Sequence, residues 1–190
     1  MRLPWRSDKP AAVPLVSVVV PAYGVEAYLP ECLDSLIAQT WPTWQAIVVD
    51  DGSPDSSGEI AEAYAARDSR IRVVHVANGG LGSARNVGVG HATGSLLAFL
   101  DSDDVLPPTA LAVLVGTLVE SGSDFVTGSI VRWQSDGLHE PPWMKRLHSR
   151  AVGLRIADRP EILGDVFAWN KVFTRSFWDA ADLSWPEGIR

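Results

Sequence analysis

The stretch SLLAFLDSDDVLPP, residues 95–108, decides the fold of this chain. Its apolar run at residues 96–100 follows Gly94 and is closed by Pro107 and Pro108. This length and these flanking residues are typical of a fully buried strand rather than a helix. Fully buried strands belong to parallel sheets, whose ligands collect at the carboxyl ends of the strands. The stretch therefore predicts a central parallel strand that ends at a binding crevice.

Three carboxylates, Asp101, Asp103 and Asp104, follow this strand directly. Clustered carboxylates repel one another and cost stability unless a cation neutralises them. The oxygen ligands of an Asp-x-Asp arrangement suit Mg²⁺ or Mn²⁺ better than zinc or copper. The cluster is therefore a candidate metal site. A solvated turn with an Asp helix cap is the alternative that this stretch alone leaves open.

Strand and helix patterns alternate along the rest of the chain. Apolar or β-branched runs predict further strands, and apolar residues at helical spacing predict helices. The predicted strands are 15–20, 44–49, 71–76 and 124–133, and the predicted helices are 28–38, 56–67, 81–91 and 109–120. Ser56 and Glu59 fit a capping box at the start of the second helix. Alternation at this spacing implies right-handed crossovers and an α/β fold with a Rossmann-like, mostly parallel sheet flanked by helices.

The alternation stops after Trp133. Residues 134–159 are polar, with prolines, tryptophans and basic residues, and they predict an irregular excursion. Beyond them we expect a helical turn at 162–167, a short strand at 168–173 and a helix at 175–181.

Composition limits the classes of function. A chain of 190 residues with 46% hydrophobic and 21% charged residues fits one globular domain. A net charge of −7 argues against a nucleic-acid partner. The single cysteine, Cys32, fits core packing in a reducing compartment. No apolar run approaches the ~20 residues of a membrane span and no signal peptide opens the chain, so we expect a cytoplasmic location.

Three predicted strands end in unusual residues: Pro21-Ala22-Tyr23, Asp50-Asp51 and Asp101-Ser102-Asp103. In a doubly wound sheet these ends converge on one crevice. The G-x-G-x-x-G loop of dinucleotide-binding proteins does not follow the first strand. A metal ion can replace the backbone amides of that loop as the partner of a diphosphate. The combination predicts a pocket for a nucleoside diphosphate held through a divalent cation.

Five blocks of the sequence resemble the family 2 glycosyltransferases with the GT-A fold. They are VSVVVPAYG, ECLDSLIAQT, VVDDGSPDSS, NGGLGSARNVGV and LAFLDSDDVLPP, in the family's order over about residues 16–111. The later WNKVFTRSFWDAADLSWPEGIR resembles a bacterial subgroup, several members of which act in cell-wall, teichoic-acid or capsule synthesis. The resemblance implies inverting, metal-dependent transfer of a sugar from a nucleotide-diphosphate sugar, with a UDP-sugar as the expected donor.

The resemblance assigns nucleotide-sugar contacts to seven residues: Pro21, Ala22, Tyr23, Asp51, Gly80, Arg85 and Ser102. Asp51 matches the acid that hydrogen-bonds the uracil ring, and Arg85 is expected near the diphosphate or the sugar. The implied metal ligands are Asp101 and Asp103. Asp103 would bind Mn²⁺ or Mg²⁺ directly, and Asp101 would lie nearer the ribose or a metal-bound water. From the residues alone, a turn role for Asp51 and a helix-surface ion pair for Arg85 remain alternatives.

The resemblance also bears on domain organisation. In the subgroup an acidic pair that supplies the catalytic base follows the PEGIR segment, and this chain stops at Arg190. We therefore expect a lead-in at 1–14, a nucleotide-sugar-binding core at 15–133 and a partial acceptor-side region at 134–190. A non-catalytic nucleotide-sugar-binding module is one alternative. A nucleotidyltransferase is another, but the basic Gly-rich loop that it needs after the first strand is missing.

The expected partners are a nucleotide-sugar donor and a glycan, polyol-phosphate or lipid-linked acceptor. The segment from Trp143 to Arg150 is basic and aromatic. Such a segment suits peripheral contact with anionic lipid at the inner face of a membrane, or is a solvated loop.

Overall fold

The computed structural model describes residues 13–142, 144, 151–155 and 157–188. Its strands are β1 (Val16–Ala22), β2 (Trp44–Asp50), β3 (Ile71–His75), β4 (Leu96–Phe99), β5 (Phe125–Thr127), β6 (Arg132–Gln134), β7 (Gly137–His139) and β8 (Lys171–Thr174). Its helices are α1 (Leu29–Ile37), α2 (Ser57–Ala65), α3 (Leu81–His91), α4 (Ala110–Ser121) and α5 (Arg175–Ala180). A 3₁₀ turn at Pro160–Gly164 lies close to the helical turn predicted at 162–167.

Six of the strands form one sheet in the order β3-β2-β1-β4-β8-β5, and β6 and β7 form a separate hairpin. Neighbouring strands from β3 to β4 are parallel, and β8 runs antiparallel to both β4 and β5. The mostly parallel α/β sheet predicted from the sequence is thus confirmed. The carboxyl ends of β1, β2 and β4 lie at one edge of the sheet, where Asp51 and Asp101 follow their strands.

Both faces of the sheet are covered, which explains why the strands are continuous apolar runs rather than alternating ones. Along β1, Val18 and Val20 pack into a large cluster with α1, α2 and α4. The intervening Val19 packs on the opposite face with Phe99 and Trp178. Cys32 of α1 is buried in the larger cluster, so its predicted role in core packing is confirmed.

The capping box predicted for α2 is wrong. The hydroxyl of Ser56 makes no capping hydrogen bond. Instead the carboxylate of Asp55 accepts from the backbone N–H of Ser57 at 3.1 Å and from its hydroxyl at 2.6 Å. The N–H of Ser56, which a capping box would give to Glu59, donates to Oε2 of Glu26 at 2.9 Å.

The single strand predicted at 124–133 is also wrong. The chain pairs with β8 only over Phe125–Thr127, and the next strand, β6, belongs to the separate hairpin. The change occurs at Gly128, whose N–H donates to the carbonyl of Asn170 at 2.7 Å. The apolar pattern continues through this point, but β8 begins only at Lys171, the partner of Thr127, so strand pairing stops after this one further backbone hydrogen bond.

Two predicted segments fall wholly or partly outside the described residues. These are the lead-in, up to residue 12, and the basic aromatic segment at 143 and 145–150. Within the described ranges no helix is both long and apolar enough to cross a membrane.

Close packing between α3 and the sheet depends on Gly88. A Cβ at this position would lie 2.3 Å from Cγ1 of Val19. We expect Gly88→Ala to lower the free energy of unfolding by about 1–3 kcal/mol, because the methyl group overpacks the core. In the same helix, a Cβ on Gly90 would meet nothing within 4 Å. Gly90→Ala is the matched control and should stabilise by roughly 0.5–1 kcal/mol. Urea unfolding of both variants checks this; equal effects would contradict the packing explanation.

Candidate nucleotide-sugar site

A cleft of about 530 Å³ opens at the carboxyl ends of β1, β2 and β4, beside the start of α3. It is lined by every predicted site residue except Arg85, together with Val25, Asn78, Leu81 and Ala84. Asn78 and Leu81 flank the glycines of the block NGGLGSARN, so the sequence carried a signal for them. No comparable signal marked Val25, which is a hydrophobic residue in a loop.

One wall of the cleft is the end of β1. Pro21 has no N–H to donate, and it falls where β1 has passed the last residue paired with β4, Val19. It therefore breaks no ladder bond on that side. Tyr23 follows in the first turn with 53% of its surface exposed. An exposed ring on a rigid strand end offers a flat face for stacking a planar ligand.

Asp51 holds the loop before α3 in place. One carboxylate oxygen accepts the N–H of Gly79 and the other accepts the N–H of Gly80, both at 2.8 Å. Gly80 has a φ of +87°, a conformation that favours glycine. The alternative weighed from the sequence was a turn role before the helix at 56–67, but Asp51 bonds instead to the loop before α3. These two bonds leave each carboxylate oxygen of Asp51 with a second lone pair for a further donor.

Arg85 lies behind the cleft and forms an ion pair with Asp101. Its Nη2 is 2.6 Å from Oδ1 of Asp101, and its side chain is only 10% exposed. Its guanidinium carbon also lies 4.7 Å from the ring centroid of Trp185. Arg85 is thus an ion-pair partner, as the alternative held, but a buried one. Its Nε is a buried donor without a hydrogen-bond partner among the described residues.

Negative charge at the end of β4 exceeds what Arg85 neutralises. Burial raises the pKa of Asp104 to about 6, and repulsion from Asp103 and Asp101 adds to the rise. Burial likewise raises the pKa of the Cys32 thiol well above its usual range, and the same carboxylates contribute. Burial is the larger cause of both shifts, and the repulsion shows that the carboxylates lie close enough together for one positive charge to offset it.

The donor set fits a hard divalent cation that completes its coordination from outside the protein. Within the described residues no group of three or more His, Cys, Asp or Glu side chains could hold a metal by itself. Asp101 and Asp103 both line the cleft. Magnesium is commonly bound in this way, by one or two carboxylates together with substrate phosphates and waters.

A second polar cluster lies at the end of β2, beside the cleft. His75 Nδ1 is 2.8 Å from Oδ2 of Asp50, and its Nε2 is 3.0 Å from Oε1 of Glu62. Hydrogen bonds to these two carboxylates raise the pKa of His75. Burial alone would raise the pKa of Asp50, but hydrogen bonds from Ser53 and His75 hold it below its usual value.

This cluster predicts a pH-dependent stability. Because the pKa of His75 is raised on folding, its contribution is complete below the unfolded value of about 6.5 and is lost as the pH rises through the folded value. Asp55 and Glu59, which line the same surface pocket, also favour the charged imidazole. The free energy of unfolding should therefore decrease as the pH rises from about 6.5 through the folded pKa of His75. We expect His75→Gln to abolish this decrease, as measured by urea unfolding at a series of pH values across that range. The control is His139→Gln, which removes a histidine from an exposed pair with Asp136. If both variants lost the pH dependence equally, it could not be assigned to His75.

Comparison with known proteins agrees with this geometry. The sequence profile of "Glycosyl transferase family 2" matches residues 17–178. The "Uncharacterized glycosyltransferase EpsJ" of Bacillus subtilis (strain 168) is 37% identical over 189 residues, covering 94% of this chain and 53% of EpsJ. The "Putative glycosyltransferase EpsH" of the same organism is 35% identical, covering 91% of this chain and 51% of EpsH. The chain thus spans about half the length of these curated relatives.

Solved structures give the same result. The crystal structure of S. aureus TarS 1–349 in complex with UDP-GlcNAc matches with a TM-score of 0.80 at 28% identity, covering 92% of this chain and 49% of that one. The GT-A fold expected from the sequence is thereby confirmed. Since the family profile covers most of the chain and the sheet order and cleft agree with it, the chain belongs to glycosyl transferase family 2.

Proposed function

We propose that this chain forms the donor-binding part of a metal-dependent, inverting glycosyltransferase. It would move a sugar from a UDP-sugar to an acceptor hydroxyl in the synthesis of a cell-surface polysaccharide or teichoic acid. The observation that carries this proposal is the convergence of the predicted residues on one cleft of about 530 Å³. This volume falls within the range of roughly 300–1,000 Å³ typical of small-molecule sites. The similarity to TarS, whose structure contains UDP-GlcNAc, supports the choice of donor.

The base and ribose belong on the β1 and β2 side of the cleft. In the proposed site, the exposed ring of Tyr23 lies against the base, with Pro21 and Ala22 completing the wall. Asp51 has a carboxylate oxygen lone pair free beside each backbone bond. A uracil ring presents one imide N–H, which such an oxygen accepts. Gly80 lines the same side and lets a ligand approach the backbone closely.

The diphosphate belongs on the β4 side, next to the surplus carboxylates. Asp101 and Asp103 would hold Mn²⁺ or Mg²⁺ there, with Ser102 between them in the cleft wall. A bound divalent ion supplies neutralisation of the charge that develops on the leaving diphosphate. Arg85 does not line the cleft and would act on this side through its ion pair with Asp101.

The acceptor side of the proposal rests on residues 134–190. β8 of this region pairs with β4 in the same sheet as the donor-binding core, and α5 follows it directly. We propose a glycan, polyol-phosphate or lipid-linked acceptor, reached from the cytoplasm at the inner face of the membrane. We assign no catalytic base to the described residues, since the family likeness puts an acidic pair after the PEGIR segment.

Calorimetric titration with UDP tests the proposal. We expect UDP to bind the chain in the presence of Mn²⁺ and to bind more weakly after EDTA treatment. Tyr23→Ala should weaken binding, because it removes the stacking face without touching the carboxylates. Tyr28→Ala is the control, since Tyr28 is equally exposed but precedes α1, outside the cleft. Failure to bind UDP under either condition would contradict the proposal. Binding without sugar transfer by a longer chain that includes the acidic pair would favour a non-catalytic module.

A further inference from the structure

The segment 183–188, here called the C-terminal strap, lies across α3. The chain leaves α5 through Asp182, which has a φ of +49°, and Leu183 donates its N–H to the carbonyl of Trp178 at 3.1 Å. This turn directs the strap back over α3. A Cβ on Gly82 of α3 would lie only 2.0 Å from the carbonyl oxygen of Pro186, so the strap rests on the helix backbone itself.

Asn86 of α3 clamps the strap. Its Oδ1 accepts the N–H of Trp185 at 2.8 Å, and its Nδ2 donates to the carbonyl of Trp185 at 2.9 Å. The same Nδ2 also donates to Oε1 of Glu187 at 2.8 Å. One side chain therefore satisfies both backbone groups of Trp185, much as a neighbouring strand would. This fixes the position of Trp185 along α3.

The indole of Trp185 is held between the core and Arg85. Its ring meets Phe99 of β4 edge to face, with centroids 5.1 Å apart, and lies 6.1 Å from the ring of Trp178. On its other side the guanidinium carbon of Arg85 is 4.7 Å from the ring centroid. The guanidinium of Arg85 therefore makes two contacts, a cation–π contact with this ring and an ion pair with the carboxylate of Asp101.

We propose that Trp185 is a positioning residue for the donor side of the transfer reaction, acting through Arg85. An arginine side chain has many rotamers, and a single ion pair does not select one of them. The aromatic face of Trp185 adds a second, planar contact, and the two contacts together select one rotamer of Arg85. In this way the strap would couple the C-terminal part of the chain to the carboxylates at the end of β4. The inference rests on the proposed function, because it assigns Trp185 a part in donor binding.

Variants of Trp185 test the inference through UDP affinity measured with Mn²⁺. Loss of a cation–π contact predicts that Trp185→Leu weakens binding by about 3–30-fold. Trp185→Phe keeps an aromatic face and should recover most of the affinity. Phe173→Leu is the control, because Phe173 packs on Phe99 and Trp178 within the same aromatic cluster. It should lower the unfolding temperature and leave UDP affinity within about twofold, a change too small to reflect a lost contact.

A double-mutant cycle shows whether Trp185 acts through Arg85. In an Arg85→Met background, Trp185→Leu should weaken UDP binding by less than about twofold, because the guanidinium it positions is gone. The cycle is repeated on urea unfolding without ligand, where the two substitutions should again be non-additive. If Trp185→Leu does not fold, Asn86→Asp replaces it. That change removes both donated bonds of the clamp and sets a carboxylate beside Glu187, so UDP affinity should fall in the same way.

The outcomes separate this inference from the proposed function. If the unmutated chain binds UDP and Trp185→Leu binds it equally well, the inference is overturned and the proposed function stands. The inference is likewise overturned if the double variant loses UDP affinity by the product of the fold-losses of Trp185→Leu and Arg85→Met, because the two residues would then act independently. If the unmutated chain binds no UDP, both the proposed function and the inference fail, whatever the unfolding cycle shows.

Discussion

In a chain that includes the acidic pair, Asp103→Asn is expected to lower kcat for sugar transfer by about 10²–10³-fold, the cost typical of removing one electrostatic contact to the developing charge. Asp103 lines the cleft in the loop after β4, where burial and, to a lesser degree, repulsion from Asp103 and Asp101 raise the pKa of Asp104. Asparagine keeps the size and shape of the side chain but removes its charge. It therefore cannot help to hold a divalent cation against a diphosphate.

Binding provides a second measurement of the same variant. The unmutated chain should bind UDP more tightly with Mn²⁺ than with EDTA, and this difference should disappear in Asp103→Asn. Asp136→Asn is the matched control, since it removes one carboxylate from an exposed hairpin position paired with His139. Asp136→Asn should change neither kcat for sugar transfer nor the difference in UDP affinity between Mn²⁺ and EDTA. A full metal effect in Asp103→Asn would contradict the assignment of Asp103 as a ligand.

Asp165→Asn is expected to lower the free energy of unfolding by about 3–5 kcal/mol, the cost typical of breaking a buried ion pair. The side chain of Asp165 is 1% exposed, and its Oδ1 lies 2.9 Å from Nζ of Lys171. It also accepts hydrogen bonds from the hydroxyl of Thr127 and from Nδ2 of Asn170. Burial already lowers the pKa of Lys171, so its ammonium depends on the neighbouring carboxylate. This network joins β5 and β8 at one edge of the sheet.

The control for this prediction is the same substitution at an exposed pair. Asp179 Oδ1 is 2.7 Å from Nε of Arg175, but both side chains are partly exposed. Asp179→Asn should therefore cost only about 0–1 kcal/mol. Urea unfolding of the two variants under one set of conditions makes the comparison. If both substitutions lowered the free energy of unfolding by similar amounts, burial would not explain the stabilisation by the Asp165–Lys171 pair.

Local pattern was sufficient to predict the parallel part of the sheet and the cleft at its edge. Runs such as residues 96–100 are apolar throughout because both sheet faces are covered, and this signal survives in a single stretch of sequence. Acids placed at strand ends identified Asp51, Asp101 and Asp103 as cleft residues for a related reason. Parallel topology sends every carboxyl end to the same edge, so no knowledge of distant contacts was needed.

Predictions failed where a neighbour distant in sequence decides the outcome. The strand predicted at 124–133 stops pairing after Thr127 because β8, more than forty residues later, begins only at Lys171. Ser56 and Glu59 have the right spacing for a capping box, but the N–H of Ser56 donates instead to Oε2 of Glu26, thirty residues earlier, at 2.9 Å. Nothing in a local window shows either partner, because only folding brings it into place.

The amino-acid pattern alone determines which chemical groups reach the cleft: an aromatic wall, an acid and a carboxylate pair, each at the end of its own strand. Tertiary structure alone decides how these groups are held. Asn86 and Trp185 are 99 positions apart, and only folding brings the indole against Arg85 and the guanidinium against Asp101. Periodicity reports which face of an element is buried, whereas the side-chain contacts that orient a charge depend on packing between elements.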